Sequence, residues 1–158
     1  MQPYDSAHLL RAASELTPIG AWAYEVDSEQ LHWSEETYRI FERDLGSSPP
    51  TRPELLEYYH QEDGDVVVAL LERALQDGVG YEHQAALRGP SGTIRYILTR
   101  GSCRFRPDGS VAAIYGSIQD ITRLKLADIE LRASEVRHRL ITENSLDLVL
   151  QFDLAGAI

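Results

Sequence analysis

Cysteine is almost missing from this chain, with Cys103 alone among 158 residues. One thiol closes no internal disulfide and builds no cysteine-cluster metal site, so the fold must rest on its packed core, and a reducing compartment fits best. Long apolar runs are missing too. None approaches the roughly 20 residues that a membrane span requires. The chain also opens without the basic start and apolar core of a secretion signal. A cytoplasmic location is therefore expected, with no membrane contact by this segment. Basic residues are scarce, 15 against 25 acidic ones, giving a net charge of −10. Nucleic-acid binding rests on neutralising phosphates with Lys and Arg, so no such partner is expected; the charge reads as solubility. Catalytic motifs are absent as well: no glycine-rich phosphate loop, no His-x-x-x-His pair and no nucleophile elbow. The paired carboxylates Glu35-Glu36 and Glu62-Asp63 fall at expected helix starts, where the helix dipole favours negative charge. No catalytic residue and no metal site is expected, and the segment reads as non-enzymatic.

What is present is an ordinary globular composition, long enough for one domain plus connecting segments. Residues 5–16 read as an amphipathic helix with Leu9, Leu10, Ala13 and Leu16 on one face, ended by Pro18. Residues 19–26 alternate as a strand, Asp27-Ser28 turns, and residues 30–33 form a second strand. Ser34 caps a helix carrying Tyr38, Ile40 and Phe41. After a Ser/Pro-rich loop, residues 53–59 make a helical turn. A longer helix follows through Gln76, with Val67, Leu70, Leu71, Ala74 and Leu75 as its buried face and Gly78 as its stop. Three strands come next, over 81–88, 93–105 and 111–119, joined by Gly89-Pro90-Ser91-Gly92 and Pro107-Asp108-Gly109. Strands grouped around a helical insert predict an α+β domain with one antiparallel sheet.

The most informative stretch runs from Gly116 to Thr122, where Asp120-Ile121-Thr122 joins the last strand to a charged helix. The turn before that strand predicts a register placing Asp120 opposite residues 95–97, with Arg95 as its cross-strand partner. This contact would fix how the helix leaves; helix capping by Asp120 or Thr122 is the simpler role. The exit helix repeats Leu124, Ala127, Leu131 and Ser134 at three- and four-residue spacing, the pattern of a short parallel coiled coil or of a solvated linker. The aromatics Trp22, Tyr24, Trp33 and Tyr38, with Cys103, are the candidate pocket residues; core filling is the plainer reading. Gly101, Ser102 and Gly116 leave room on the sheet for a cavity. His60 and His83 are weak candidates for a haem ligand. Ser102-Cys103-Arg104-Phe105 echoes a flavin-adduct motif, but on a late strand rather than a helix, so adduct photochemistry is not expected.

Taken in order, Trp22, Asp27, Trp33-Ser34, His60-x-x-Asp63, Gly92, Arg95-Tyr96, Asp108-Gly109, Gly116 and Asp120-Ile121-Thr122 resemble a PAS sensor domain with its C-terminal motif. The resemblance implies a five-stranded antiparallel sheet with helices on one face. It divides the chain into an N-terminal helix (1–17), a PAS domain (18–122), a linker helix (123–143) and the beginning of a second, truncated PAS domain (144–158). That last segment rests on a short internal repeat, Leu148-Val-Leu-Gln-Phe-Asp153 echoing Trp22-Ala-Tyr-Glu-Val-Asp27, and implies a strand there. It further implies a sensory and dimerisation module of a cytoplasmic regulatory protein, such as a sensor histidine kinase or cyclic-dinucleotide enzyme. Asp120, Thr122, Gly116 and Arg95 would transmit the signal. A homodimer through the N-terminal and linker helices, a downstream output domain and a small-molecule ligand are the implied partners. No tightly bound cofactor is expected; the alternatives are a flavin- or haem-loaded sensor and a ligand-free interaction scaffold.

Overall fold

The computed structural model describes residues 18–155, with side chains through residue 143. The helix expected over residues 1–17 lies outside the described residues. Strands β1 (Ile19–Glu25) and β2 (Gln30–Trp33) form the first hairpin. Helices α1 (Glu35–Ile40), α2 (Arg52–Glu57) and α3 (Gln61–Asp77) follow, then β3 (Tyr81–Arg88), β4 (Ile94–Phe105) and β5 (Val111–Asp120), and finally α4 (Thr122–Ala155). The five strands form one antiparallel sheet in the order β2-β1-β5-β4-β3. The last strand in sequence is thus the central one.

Local chemistry explains the joints. Ser34 caps α1, its hydroxyl accepting from the Thr37 amide at 3.4 Å and from the Ala21 amide at 2.9 Å. One side chain therefore starts the helix and pins it to β1. The Thr37 hydroxyl donates to the Ala21 carbonyl at 2.9 Å. Helix α3 ends at Gly78, whose φ of 66° supplies the left-handed cap that a Cβ would oppose. At its other end Asp63 accepts from the Ala86 amide at 2.9 Å, tying α3 to the edge strand β3.

The alternation along the strands sorts the sheet into two faces. Ala85, Leu87, Ile97, Ile114 and Ile118 are buried on the face that carries the helices, with Phe41 and Ile40 from α1, and Val67 and Ala74 from α3. A chain of rings, Tyr38 on Trp33 (5.3 Å), Trp33 on Phe41 (4.5 Å) and Phe41 on Tyr58 (5.2 Å), packs the β2 end.

A division falls between Thr122 and Arg123, and α4 forms its own unit beyond it. Residues 146–153, expected as a strand, continue α4 through Ala155. An isolated strand leaves its backbone polar groups unpaired, whereas a helix satisfies them internally. A short apolar run alone does not separate the two by its period.

Candidate functional site: the sheet cavity and the strand–helix junction

Glycines on β4 and β5 make the floor of the site. Register sets one row across the whole sheet: Trp33 opposite Trp22, Trp22 opposite Gly116, Gly116 opposite Gly101, and Gly101 opposite Tyr81. A Cβ on Gly101 would collide with the Tyr81 ring, and one on Gly116 would collide with the Arg100 carbonyl and stand 2.9 Å from the Trp22 ring. Without those carbons the rings of Trp22 and Tyr81 come together, 6.3 Å apart and within 26° of parallel. The Trp22 indole N–H donates to the Ser117 carbonyl at 3.3 Å, which fixes its direction.

Above this row lies a cavity of about 830 Å3. Its depth is lined by Phe41, Val67, Ile114 and Ile118, and its rim by Glu29, His32 and Arg52. The former group is buried and the latter exposed. Hydroxyl-bearing residues also line it, among them Thr37, Tyr59, Tyr81 and Thr99, and Thr99 is only 5 % exposed. Burial pushes the phenols of Tyr59 and Tyr81 well above the ordinary tyrosine range, so both remain neutral donors.

Trp22, Tyr24 and Trp33 line this cavity; Tyr38 and Cys103 do not. Tyr38 turns its hydroxyl to the Ser47 carbonyl at 3.1 Å and sits behind Trp33. Cys103 packs against Ala74 in the neighbouring apolar cluster, and burial raises its thiol, keeping it protonated. Tyr59, Tyr81 and Thr99, which complete the walls, are distant in sequence; the β3–β4 register joins Tyr81 and Thr99, and Tyr59 reaches them from the loop between α2 and α3. The visible signal for them is the alternation 81-83-85-87 set against 97-99-101.

The donor set does not fit haem. His32 is the one histidine among the described lining residues, and it lies at the exposed rim. His60 stands exposed at the start of α3, with no side-chain capping bond. His83 lies off the lining with Nε2 buried and without a partner among the described residues. Cys103, outside the lining, is likewise misplaced for a flavin adduct.

The second feature is the end of β5. Asp120 lies opposite Ile97, and its Oδ2 accepts from Arg95 Nη1 at 3.2 Å. Its Oδ1 accepts from the Thr122 amide at 2.9 Å and the Thr122 hydroxyl at 2.5 Å. That hydroxyl in turn accepts from the Tyr96 amide at 2.9 Å, and the Ile121 amide donates to the Tyr96 carbonyl at 2.8 Å. Both roles read from the sequence, cross-strand pairing and helix capping, thus use the two oxygens of one carboxylate. Sequence alone did not show the third member. Arg95 Nη2 donates to Glu42 Oε1 at 3.1 Å, and Glu42 Oε2 accepts from the Ser91 hydroxyl and amide at 2.5 and 3.2 Å. Glu42 adopts φ of 54°, a left-handed conformation uncommon outside glycine. Its hydrogen bonds from Ser91, then from Arg95, hold its carboxyl below the ordinary range. Arg95 is held above its own by Glu42 first, with Asp120 adding to it.

Along α4, Leu124, Ala127 and Leu131 are exposed, Leu124 by 71 %. A second exposed row, Leu126, Ile129, Ala133, Val136 and Leu140, repeats at three and four residues without interruption. No described helix is long and apolar enough to cross a membrane.

Comparison with known proteins agrees with this geometry. No curated protein matches the chain significantly. Among solved structures, a sensory box histidine kinase/response regulator from Burkholderia thailandensis E264 superposes with a TM-score of 0.63 at 25 % identity, covering 82 % of this chain and 97 % of that one. The N-terminal domain of a diguanylate cyclase with PAS/PAC sensor from Marinobacter aquaeolei shares the fold, with a TM-score of 0.61 at 18 % identity over 68 % of this chain and 98 % of its own. An RNA-binding light-oxygen-voltage receptor gives 0.60 at 20 % identity, over 75 % of this chain and 35 % of that one. The sequence pattern described as the PAS fold matches residues 30–118, more than half of the chain. With the five-stranded antiparallel sheet, the helices on one face and that match together, the chain belongs to the PAS fold family.

Proposed function

We propose that this chain is the sensory and signal-transmitting part of a larger regulatory protein, in which a ligand in the sheet cavity changes the packing of β5 and so the start of α4. The output domain would be a histidine kinase or cyclic-dinucleotide enzyme, two of the kinds of protein in which similar structures occur. One observation carries the reading. Strand β5 presents Ile114 and Ile118 to the cavity, and two residues later its own Asp120 holds the first residue of α4. A displacement of the strand is therefore also a displacement of the helix start. The stimulus must bind one state of the sheet more tightly than the other, or nothing moves. Residues 144–158 would lead into a second PAS domain, and the protein would be cytoplasmic. The working assembly would be a homodimer through the linker helix.

The test is a fusion of this chain, through α4, to the catalytic half of a dimeric histidine kinase, with autophosphorylation as the readout. Asp120→Ala and Arg95→Ala should each change the rate several-fold while circular dichroism stays native. Unchanged autophosphorylation in both folded variants would reject transmission through the junction.

A further inference from the structure

We propose that the cavity takes an uncharged, flat organic molecule carrying a carbonyl-type acceptor, oriented by the phenols of Tyr59 and Tyr81. The proposal rests on the cavity being the sensory site and names what enters it.

Charge is the first argument. The depth of the cavity offers Trp22, Phe41, Val67, Leu71, Ile114 and Ile118 as apolar surface and only hydroxyls as polar groups. The charged lining residues Glu29 and Arg52 are exposed at the rim, and Arg52 is already paired with Glu72 at 3.3 Å. An anion drawn inside would lose its hydration and find no cation, which disfavours carboxylates and phosphates. Shape is the second. The near-parallel rings of Trp22 and Tyr81 over a floor without side chains offer flat surfaces, and an aromatic skeleton stacks on such faces. Hydrogen bonding is the third. Half-buried Tyr59 lines the cavity, and burial keeps its phenol protonated, a neutral O–H donor. An acceptor on the ligand gives that O–H a partner inside the cavity. The Tyr81 phenol is buried beside the Thr99 hydroxyl and supplies a second donor on the same side.

The chain reports on its own occupancy, because its two tryptophans, Trp22 and Trp33, both line the cavity. The experiment titrates the nitrogen-15-labelled chain with 2-acetylnaphthalene, 2-ethylnaphthalene and 2-naphthoate, following the two indole N–H resonances. These probes are alike in size and differ in acceptor and charge. The ketone should bind saturably, shift both indoles, and hold about tenfold tighter than the hydrocarbon, as expected where a site is built to hydrogen-bond its ligand. Tyr59→Phe should bring ketone and hydrocarbon to similar affinity and leave hydrocarbon binding intact, with Tyr81→Phe as the second variant if the first fails to fold. Equal binding of ketone and hydrocarbon by the unmodified chain, or tightest binding of naphthoate, overturns this ligand class while leaving the cavity as a binding site. If none of the three moves an indole resonance, the cavity reading falls and this proposal with it.

Discussion

Gly116 leaves no room for substitution because the atom in the way belongs to the backbone. An added Cβ would meet the carbonyl of Arg100 on the neighbouring strand. At Gly101 the obstacle is the Tyr81 ring, which can swing aside. Gly116→Ala should therefore cost about 1–3 kcal/mol, the usual range for overpacking, and Gly101→Ala clearly less. Urea unfolding of the two variants checks the order, and a reversal would mean that the sheet yields more readily than the ring. Glu42 gives a second residue-scale expectation. Its carboxyl is held below its ordinary value of 4.5 by Ser91 and Arg95, so it binds protons less readily in the folded chain than in the unfolded one. The stability this adds is fully present above pH 4.5 and is lost as pH falls through the folded value. Glu42→Gln should be less stable than the parent at neutral pH, and the gap should close in acid. A gap that persists unchanged at low pH would assign the loss to shape rather than charge.

Helix α3 and the edge strand show what one carboxylate does for an element. Strand β3 ends the sheet, and an unpaired edge invites pairing with other chains. Here Asp63 takes the Ala86 amide, the Tyr58 carbonyl takes the Arg88 amide at 2.7 Å, and Tyr59 bridges to Leu87. Asp63→Ala should cost about 1–3 kcal/mol by leaving that amide without its partner, measurable by the same unfolding curves together with faster hydrogen exchange at Ala86. Element boundaries were largely legible in the sequence. The 3.6-residue period of Val67, Leu71 and Ala74 and the Gly78 stop define α3, and the Gly92 and Gly109 turns, with φ of 83° and 87°, separate the last three strands. Two kinds of information were not legible. Tyr59, Tyr81 and Thr99 become neighbours only after helix and strands pack. The end of α4 depends on whether a partner strand exists, which local pattern does not record. The helix also offers two seams, and their chemistry differs. The row through Leu124, Ala127 and Leu131 meets Ser134, whereas Leu126, Ile129, Ala133, Val136 and Leu140 sustain an apolar heptad pattern. Sedimentation should therefore show Val136→Glu to be monomeric at concentrations where the parent and Leu131→Glu are dimeric. The opposite result would restore the seam through Leu124, Ala127 and Leu131.

Across the whole domain, the cavity and the junction share β4 and β5. Strand β4 gives Thr99 to the cavity and Arg95 to the junction; helices α1, α2 and α3 close the cavity, and Glu42, just after α1, holds the junction. Arg95 is the one side chain that touches Glu42 and Asp120 together. Arg95→Met keeps much of the stem and removes both ion pairs. It should loosen the start of α4 and, because coupling between two sites is reciprocal, change the affinity of a cavity ligand severalfold as well. Amide exchange at Ile121 and Thr122 reads the first effect. Ligand affinity that stays unchanged while those amides exchange faster would show that the two regions are not coupled.

The position of β5 also governs how the domain comes into being. Residues 19–25 pair with residues 113–119, so the central pairing of the sheet joins the two ends of the domain. Until β5 exists, the β1–β2 hairpin and the β3–β4 hairpin have nothing between them, and neither can close the core alone. Such distant pairings carry a large loop-closure cost and slow the search for the native state. During synthesis the domain must therefore wait until residue 120 has cleared the ribosome, by which time α4 is next in line. A chain stopped after residue 110 would be two hairpins and three helices without a sheet to rest on, open to proteases and to pairing with its own kind.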